Sequence, residues 1–295
     1  MKKALMLVSV LALVAAASSF AQSYSVSYAD GVAELKSSQG WSPLSIGDAV
    51  PANASVRISQ SGSLELTRGK ARITILKDGV YNIATLSRAA DQVGSAKLGA
   101  NISQKLQSLT TEKASSTAVG GVRATEQGGQ AAVTWADEND EVRSEVASLL
   151  AEKKYEEALK ALKKALAESP AAADEQEFTY LTGVAYYGES QPVRAYRALS
   201  KVNPDPSVQW YAKYVLLKAQ VLVDSLDFSG AQGILKPFLS AYPSGESAQI
   251  AWLLTFYCQK GMGNAEAAKT ALDSGYQLDP GSETAKLIDQ QRKTP

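Results

Sequence analysis

Two hydrophobic periods divide this chain, and the change from one to the other falls near Gly128. From Tyr24 to Leu86, apolar and polar residues alternate in short runs, which is typical of half-buried antiparallel strands. Glycine-containing turns separate these runs, at Asp30-Gly31, Ser61-Gly62, Arg68-Gly69 and Asp78-Gly79. The pattern predicts an all-β first half, either a sandwich or a stack of hairpins.

The spacing of apolar residues becomes helical between Ser87 and Thr110. They recur there every three to five positions, at Val93, Leu98, Ile102, Leu106 and Leu109. One helix over about residues 87–110, packed against the sheet, is therefore predicted.

A repeated pattern occupies the chain from about Asp137 onward, where helix-forming residues dominate. Each copy has a small residue, a large apolar residue about one turn later, and a proline that closes the segment. Four alanines mark the copies at intervals of 37, 36 and 37 residues: Ala158, Ala195, Ala231 and Ala268. Small residues let two antiparallel helices cross closely, and proline ends the second helix of a pair. Stacked helix pairs are predicted.

This layout, with Gly183 ahead of Tyr186 and Tyr187 in the second copy, resembles the tetratricopeptide repeat (TPR). The resemblance covers roughly residues 139–284 and implies about four helix pairs stacked as an α-solenoid. The intervals exceed the roughly 34 residues usual in that family, so slightly longer loops between helices are expected. The predicted fold class is thus multidomain β plus α, with the solenoid at residues 137–295.

The segment WSPLSIGDAVPANASVRISQSGSLELTRGKARITIL resembles the FecR domain. The resemblance rests on a Leu-x-x-Gly-Asp turn, on the paired strands that follow it, and on a closing Gly-Val-Arg segment. The motif residues are Leu44, Gly47, Asp48, Gly121, Val122 and Arg123. Ala124 replaces a glycine of the family's closing segment. The resemblance implies a FecR-like β domain over residues 22–126, followed by a hinge at residues 127–136.

The N-terminus predicts export. Lys2 and Lys3 precede an apolar run, and a small-x-small site ends at Ala21, as in a cleavable signal peptide over residues 1–21. We expect a periplasmic protein of a Gram-negative-type envelope. The whole chain carries 30 basic and 30 acidic residues, so removal of two lysines leaves a net charge of −2. That balance argues against nucleic-acid binding, and no later apolar run is long enough for a membrane span.

The residue inventory disfavours catalysis. Histidine is absent and Cys258 is the only cysteine, which excludes histidine-assisted nucleophiles and most zinc sites. Cys258 lies in the apolar run AWLLTFYCQ and is interpreted as a buried small hydrophobe. The glycines of STAVGGVRATEQGGQ match neither spacing used by phosphate-binding loops. We therefore predict a protein that is not an enzyme, without cofactors or metal; a carboxylate-based glycan hydrolase is disfavoured.

The first helices of stacked pairs line a concave face, to which peptides commonly bind. Alignment of the four alanines places eight side chains there: Arg143, Tyr180, Tyr187, Lys213, Gln220, Asp224, Tyr257 and Lys260. The alternative is that the tyrosines pack between helices.

These residues predict a periplasmic, non-catalytic adaptor that binds an envelope protein or peptide in the groove. The FecR-like β domain would be a second interaction module, for another partner or for a cell-wall glycan. The alternative function is an envelope-sensing signal-transduction protein whose β domain receives a ligand or receptor signal.

Overall fold

The computed structural model describes residues 23–93, 138–168 and 171–293. The predicted signal peptide, the hinge, the Gly121–Arg123 segment and the later part of the predicted 87–110 helix lie outside these residues. Contacts divide the chain into two compact units. The discontinuous unit combines Met1–Gly99 with Leu222–Pro295, and the continuous unit is Ala100–Val221.

An antiparallel sheet forms the first part of the discontinuous unit. Two long strands pair at its centre, β1 (Ser23–Ser37) and β4 (Ser55–Arg68). The shorter strands β2 (Gly40–Pro43) and β3 (Ala49–Pro51) pair with β1, while β5 (Ala71–Ile75) and β6 (Gly79–Asn82) pair with β4. Every one of these pairings is antiparallel, as predicted. Each long strand therefore pairs with a different short strand near each of its two ends.

Two of the predicted turns are wrong, because β1 and β4 continue through Asp30-Gly31 and Ser61-Gly62. The strands bend there at a bulge, where the pairing shifts between Asp30 and Val32. Gly31 has a φ of +68°, and a Cβ on it would lie 2.5 Å from the Cα of Gly62. Glycine therefore permits two backbones to approach closely at this bend, and the chain does not reverse.

The bulge has a side-chain partner in the β5–β6 loop. The Asp78 carboxylate accepts hydrogen bonds from the backbone N–H groups of Ser61 and Gly62, at 3.1 and 3.2 Å. These bonds replace strand pairing at a point where the ladder is interrupted. The two other predicted turns are confirmed, since Arg68 pairs with Ala71 around Gly69, and Gly79 begins β6.

The β core lies on one face of the bent sheet. Tyr24 and Val26, at even-numbered positions of β1, are buried. A second register shift then turns odd-numbered positions towards the core, so that Ala33 is also buried. The other strands complete this core with Val50, Val56, Ile58, Leu64, Leu66, Ile73 and Ile75, and Ile83 joins it from the helix that follows β6. Period-two alternation thus predicts the core only within each stretch between bulges.

Helix α1 (Ile83–Val93) begins before the predicted start at Ser87. The Asn82 side chain accepts a hydrogen bond from the N–H of Thr85 at 3.0 Å, which caps the helix at this earlier position. The Tyr24 hydroxyl lies 3.0 Å from the Ser87 hydroxyl and links the sheet to the helix.

Nine further helices follow in the described parts of residues 138–293. Their bounds are α2 (Glu138–Ala151), α3 (Tyr155–Ala167), α4 (Ala172–Gly188), α5 (Pro192–Ser200), α6 (Tyr211–Asp224), α7 (Phe228–Ala241), α8 (Gly245–Gly261), α9 (Ala265–Leu278) and α10 (Glu283–Arg292). The four repeat alanines each lie in a second helix, α3, α5, α7 or α9, and all four are buried. A sheet followed by helical repeats is therefore confirmed.

The turns within the helix pairs repeat the same backbone geometry. A residue with positive φ follows each first helix, at intervals of 37, 36 and 37 residues: Lys153, Ser190, Leu226 and Gly263. At the first turn, the N–H of Lys153 donates to the Leu150 carbonyl and the N–H of Lys154 donates to the Leu149 carbonyl. This is the Schellman pattern of a helix C-terminus.

The expectation of longer loops is wrong for these turns, which all have three residues. The ten-residue connection Lys201–Trp210 is the longest between successive helices from α2 to α10.

Aromatic–glycine contacts recur two repeats apart. A Cβ on Gly188, at the end of α4, would lie 2.3 Å from the Tyr155 ring at the start of α3. A Cβ on Gly261, at the end of α8, would lie 2.3 Å from the Phe228 ring at the start of α7. In both places the absence of a side chain lets an aromatic ring lie directly against the neighbouring helix.

Candidate functional site

Arg143 is held inside the continuous unit by three carboxylates. Its guanidinium lies 2.7 Å from Asp140 and 3.0 Å from Glu177, and it also pairs with Asp174. Burial alone would lower the pKa of Arg143, but the hydrogen bond to Glu177 and the charges of Glu177 and Asp174 raise it. The side chain joins α2 to α4, so its charge is already compensated within the protein.

Tyr180 belongs to an aromatic cluster. Its ring stacks on Trp210 with centroids 5.1 Å apart, and Tyr214 lies edge-on to both rings. Tyr180 is only 2% exposed, and burial raises the pKa of its hydroxyl. In this conformation Tyr180 packs between structural elements, which agrees with the alternative interpretation of the tyrosines.

Tyr214 and Lys218 fasten the Lys201–Trp210 connection to α6. The Tyr214 hydroxyl lies 3.1 Å from the Leu199 carbonyl and 2.8 Å from the Val202 carbonyl, and it accepts a hydrogen bond from the Lys218 ammonium at 2.8 Å. Burial raises the pKa of Tyr214 to about 12 and lowers that of Lys218. These contacts hold Trp210 over Tyr180.

The remaining predicted groove residues of the continuous unit differ in exposure. Tyr187 on α4 and Lys213 on α6 are half-buried and keep part of their surface in solvent. Gln220 is fully buried. A partner could therefore contact Tyr187 and Lys213 directly, whereas Gln220 is part of the interior.

Three predicted groove residues lie in the discontinuous unit. Asp224 ends α6 and is half-buried. Tyr257 on α8 is only 3% exposed, packs edge-on to Phe256 at 4.7 Å, and has a pKa raised by burial. Lys260 is half-buried, with its ammonium 5.7 Å from the centre of the Phe256 ring. Asp224 and Lys260 are thus the predicted residues of this unit that combine charge with partial exposure.

Cys258 is fully buried on the same helix. Burial raises the pKa of its thiol to about 12, and the Asp227 charge contributes in the same direction. The prediction that Cys258 is a buried residue is confirmed.

Lys260 borders a cavity of about 560 Å³. We call it the α8–α10 cavity, since α8, α9 and α10 form most of its lining and Gln92 of α1 completes it. Phe256, Ala268 and Leu272 supply apolar surface, while Lys260, Lys269 and Arg292 supply cations. Most of these residues could not be predicted from the sequence, because they come from different helices and share no spacing.

A second cavity, of about 440 Å³, lies between α7 and α8. Leu235, Leu239 and Trp252 form its apolar part, and Gln232 and Gln259 bring amides to it. Lys236 is the one cation that lines it within the described residues.

Gly47 and Asp48, which the sequence predicts as FecR-like motif residues, form a turn that lies against β1. The Gly47 N–H donates to the Val26 carbonyl at 2.8 Å, and the Val26 N–H donates to the Asp48 carbonyl at 2.9 Å. The Asp48 carboxylate accepts from the N–H of Ser45 at 2.7 Å. These bonds stabilise the turn and leave Ile46 at its tip, 67% exposed. Gly121, Val122 and Arg123 lie outside the described residues.

Within residues 23–93, 138–168 and 171–293, no three Asp, Glu or Cys side chains converge in a way that would hold a metal ion. None of the helices described here is both long enough and apolar enough to cross a membrane.

Comparison with known proteins found no matching family model and no matching curated protein. One solved structure, described as "MamA RS-1 ArsTM double mutant", is similar over 54% of this chain and 87% of that chain. Its identity is 20% and its TM-score is 0.42. The helical repeats are therefore defined by the recurring turns and buried alanines, and the resemblances to TPR and FecR proteins stay predictions.

Proposed function

We propose that the chain is a periplasmic, non-catalytic adaptor that binds an envelope protein or peptide through the first helices of TPR-like repeats. The observation that carries the proposal is the shared interval of 36 or 37 residues between buried alanines and between turns. Such repetition places equivalent positions of successive first helices on one kind of surface, which repeat proteins use for binding. The partly exposed predicted residues are Tyr187 and Lys213 in the continuous unit, and Asp224 and Lys260 in the discontinuous unit.

The β domain is proposed as a second interaction module of FecR-like type, with an envelope partner or a cell-wall glycan as its ligand. The docked turn at Gly47 and Asp48 supports this assignment, since it gives the motif a fixed geometry beside β1. Export is proposed on the signal peptide predicted for residues 1–21.

The non-catalytic assignment is supported by the state of the reactive side chains. The chain has no histidine, and Cys258 is buried. The carboxylates of Asp174 and Glu177 are paired with Arg143, so they are held as structural charges.

Site-specific photo-crosslinking in the envelope of a native host tests the proposal. A photoreactive phenylalanine analogue is placed at Tyr187 or Lys213 on first helices, with Lys163 on the exposed face of α3 as the matched control position. We expect the same crosslinked partner from Tyr187 and Lys213 and none from Lys163. Equal products from all three positions, or products from Lys163 alone, would contradict an adaptor role for the first helices.

The same experiment distinguishes the adaptor from the alternative, an envelope-sensing protein. A probe at Ile46, on the exposed turn of the β domain, reports contacts of that domain. A partner crosslinked from Ile46 while Tyr187 and Lys213 remain without product would favour sensing through the β domain.

A further inference from the structure

The α8–α10 cavity is large enough for amino-acid side chains and has solvent-exposed residues in its lining. Its volume of about 560 Å³ falls within the range of ligand sites, roughly 300–1,000 Å³. Gly263, Ala265 and Lys269 line it and are exposed to solvent. Sites for small molecules bury most of their ligand, whereas an open cavity lets a longer chain enter and leave.

Apolar surface forms the deeper part of this cavity. Ala268 and Leu272 are buried on α9, and Phe256 is buried on α8. An apolar side chain placed against them would be removed from water, which favours binding. The ligand is therefore expected to carry an apolar anchor.

The charge of the lining is positive. Asp273 is the acidic residue among the described lining residues, and it is paired with Arg292. Within the described chain, neither Lys260 nor Lys269 has a carboxylate partner. Two cations thus remain uncompensated beside an apolar surface, and carboxylates on a ligand would complement them.

Amide side chains add hydrogen-bonding capacity at the rim. Gln92 lines the cavity from α1, and Gln291 lines it from α10. Neither side chain makes a hydrogen bond within the described residues. An amide offers both a donor and an acceptor, which suits the alternating N–H and C=O groups of an extended peptide.

We propose that the α8–α10 cavity binds an acidic linear peptide, in which an apolar side chain is flanked by carboxylates. The apolar side chain enters against Phe256 and Leu272, while the carboxylates pair with Lys260 and Lys269. Gln92 and Gln291 contact the peptide backbone. This assignment rests on the proposed adaptor function and specifies the chemistry of its partner.

Fluorescence anisotropy with the full chain tests the proposal. The probe is a fluorescein-labelled, C-terminally amidated peptide of sequence Gly-Glu-Leu-Glu-Phe-Glu-Leu-Gly, compared with versions in which Gln or Lys replaces every Glu. We expect the acidic peptide to bind and its affinity to fall as salt rises, because the contacting charges are partly exposed. The double variant Lys260→Gln, Lys269→Gln should weaken binding about tenfold or more, since it removes two charge-assisted contacts.

The matched control is Lys160→Gln, Lys163→Gln, which removes the same charge from exposed positions of α3 and should leave the affinity unchanged. Ala265→Trp, at an exposed lining position, should block the probe without disturbing the core. Equal binding of the Gln or Lys peptides, no binding of the acidic peptide, or equal effects of the two double variants would overturn the proposal.

Two other occupants are outcomes that also overturn it. Sedimentation would reveal a second copy of the chain if self-association were abolished by Ala265→Trp. Competition by phosphatidylglycerol vesicles through Lys260 and Lys269 would show that the surface binds anionic lipid. If the peptide fails while Tyr187 and Lys213 still crosslink a partner, the adaptor function stands and only the cavity assignment falls.

Discussion

At the scale of single residues, the bend shared by β1 and β4 depends on the missing side chain of Gly31. We expect Gly31→Ala to lower the free energy of unfolding by about 3 kcal/mol, combining a disfavoured positive φ with overpacking. Its Cβ would lie 2.5 Å from a backbone atom, which a rotamer change cannot relieve. Urea denaturation of the two proteins measures the difference.

The control for that substitution is Gly233→Ala on the exposed face of α7. A Cβ there meets nothing within 4 Å and the backbone is helical. Alanine should therefore stabilise by about 1 kcal/mol through helix propensity. If Gly233→Ala lowered the free energy of unfolding as much as Gly31→Ala, the bend would have no particular requirement for glycine.

The turn residues with positive φ give a second prediction. Lys153→Gly should raise the free energy of unfolding by about 1 kcal/mol, because glycine adopts this conformation without a steric penalty. Gly263→Ala should lower it by a similar amount, since a Cβ at Gly263 touches nothing and only the backbone is affected. Thermal denaturation of both variants measures the two changes in the free energy of unfolding. If both substitutions changed it in the same direction, a common turn geometry would be contradicted.

These turns also show which features of the repeats the sequence alone can predict. The interval between alanines is visible because alanine recurs, so the helix pairs could be predicted from it. The turn positions hold lysine, serine, leucine and glycine, and of these glycine alone is typical of positive φ. The geometry is set by the helix ends on either side, so it leaves no shared residue to detect.

At the scale of elements, the contacts of Tyr155 with Gly188 and of Phe228 with Gly261 should respond alike to substitution. Gly188→Ala and Gly261→Ala each place a Cβ 2.3 Å from a ring. We expect each to cost about 1–3 kcal/mol, because the ring and its helix must shift.

A double-mutant cycle checks that explanation. Tyr155→Leu combined with Gly188→Ala should be less damaging than the sum of the single changes, since the smaller side chain vacates the space. Tyr155→Leu combined with Gly261→Ala should be additive, because those residues do not share a contact. Additivity in both pairs would show that the ring does not determine the need for glycine.

The tyrosines of α4 explain why the candidate groove was only partly predictable. Tyr180 and Tyr187 are seven residues apart, which places them on nearly the same face of a helix. Yet Tyr180 is buried under Trp210, while Tyr187 keeps access to solvent. The difference comes from the Lys201–Trp210 connection, whose path no helical period encodes.

At the scale of the whole molecule, the sheet shares a compact unit with the last helices of the chain. Helix α1 packs against α8. The Lys77 ammonium pairs with the Asp227 carboxylate at 2.5 Å, and the same carboxylate caps α7 by accepting from the N–H of Gly230. Asp227 therefore connects the β5–β6 loop to a helix that lies far along the sequence.

We expect Asp227→Ala to increase amide hydrogen exchange both in the first turn of α7 and in residues 77–82, while α2 to α5 stay unchanged. Loss of the cap costs about 1 kcal/mol and the partly exposed ion pair contributes less than that. Lys77→Met keeps the cap and should affect residues 77–82 more than α7. A change confined to α7 in both variants would contradict the connection.

The discontinuous unit is built from two separate segments, which affects the order of its folding during synthesis. Synthesis delivers the strands first and the helices of Leu222–Pro295 last, with Ala100–Val221 between them. The middle segment relies on contacts between neighbours in sequence, which form quickly, whereas the outer segments must find each other across it. The strands pair with one another within residues 23–82, but the unit they belong to stays incomplete until Leu222–Pro295 is made. A nascent chain stopped near Val221 therefore has an incomplete discontinuous unit and a complete continuous unit.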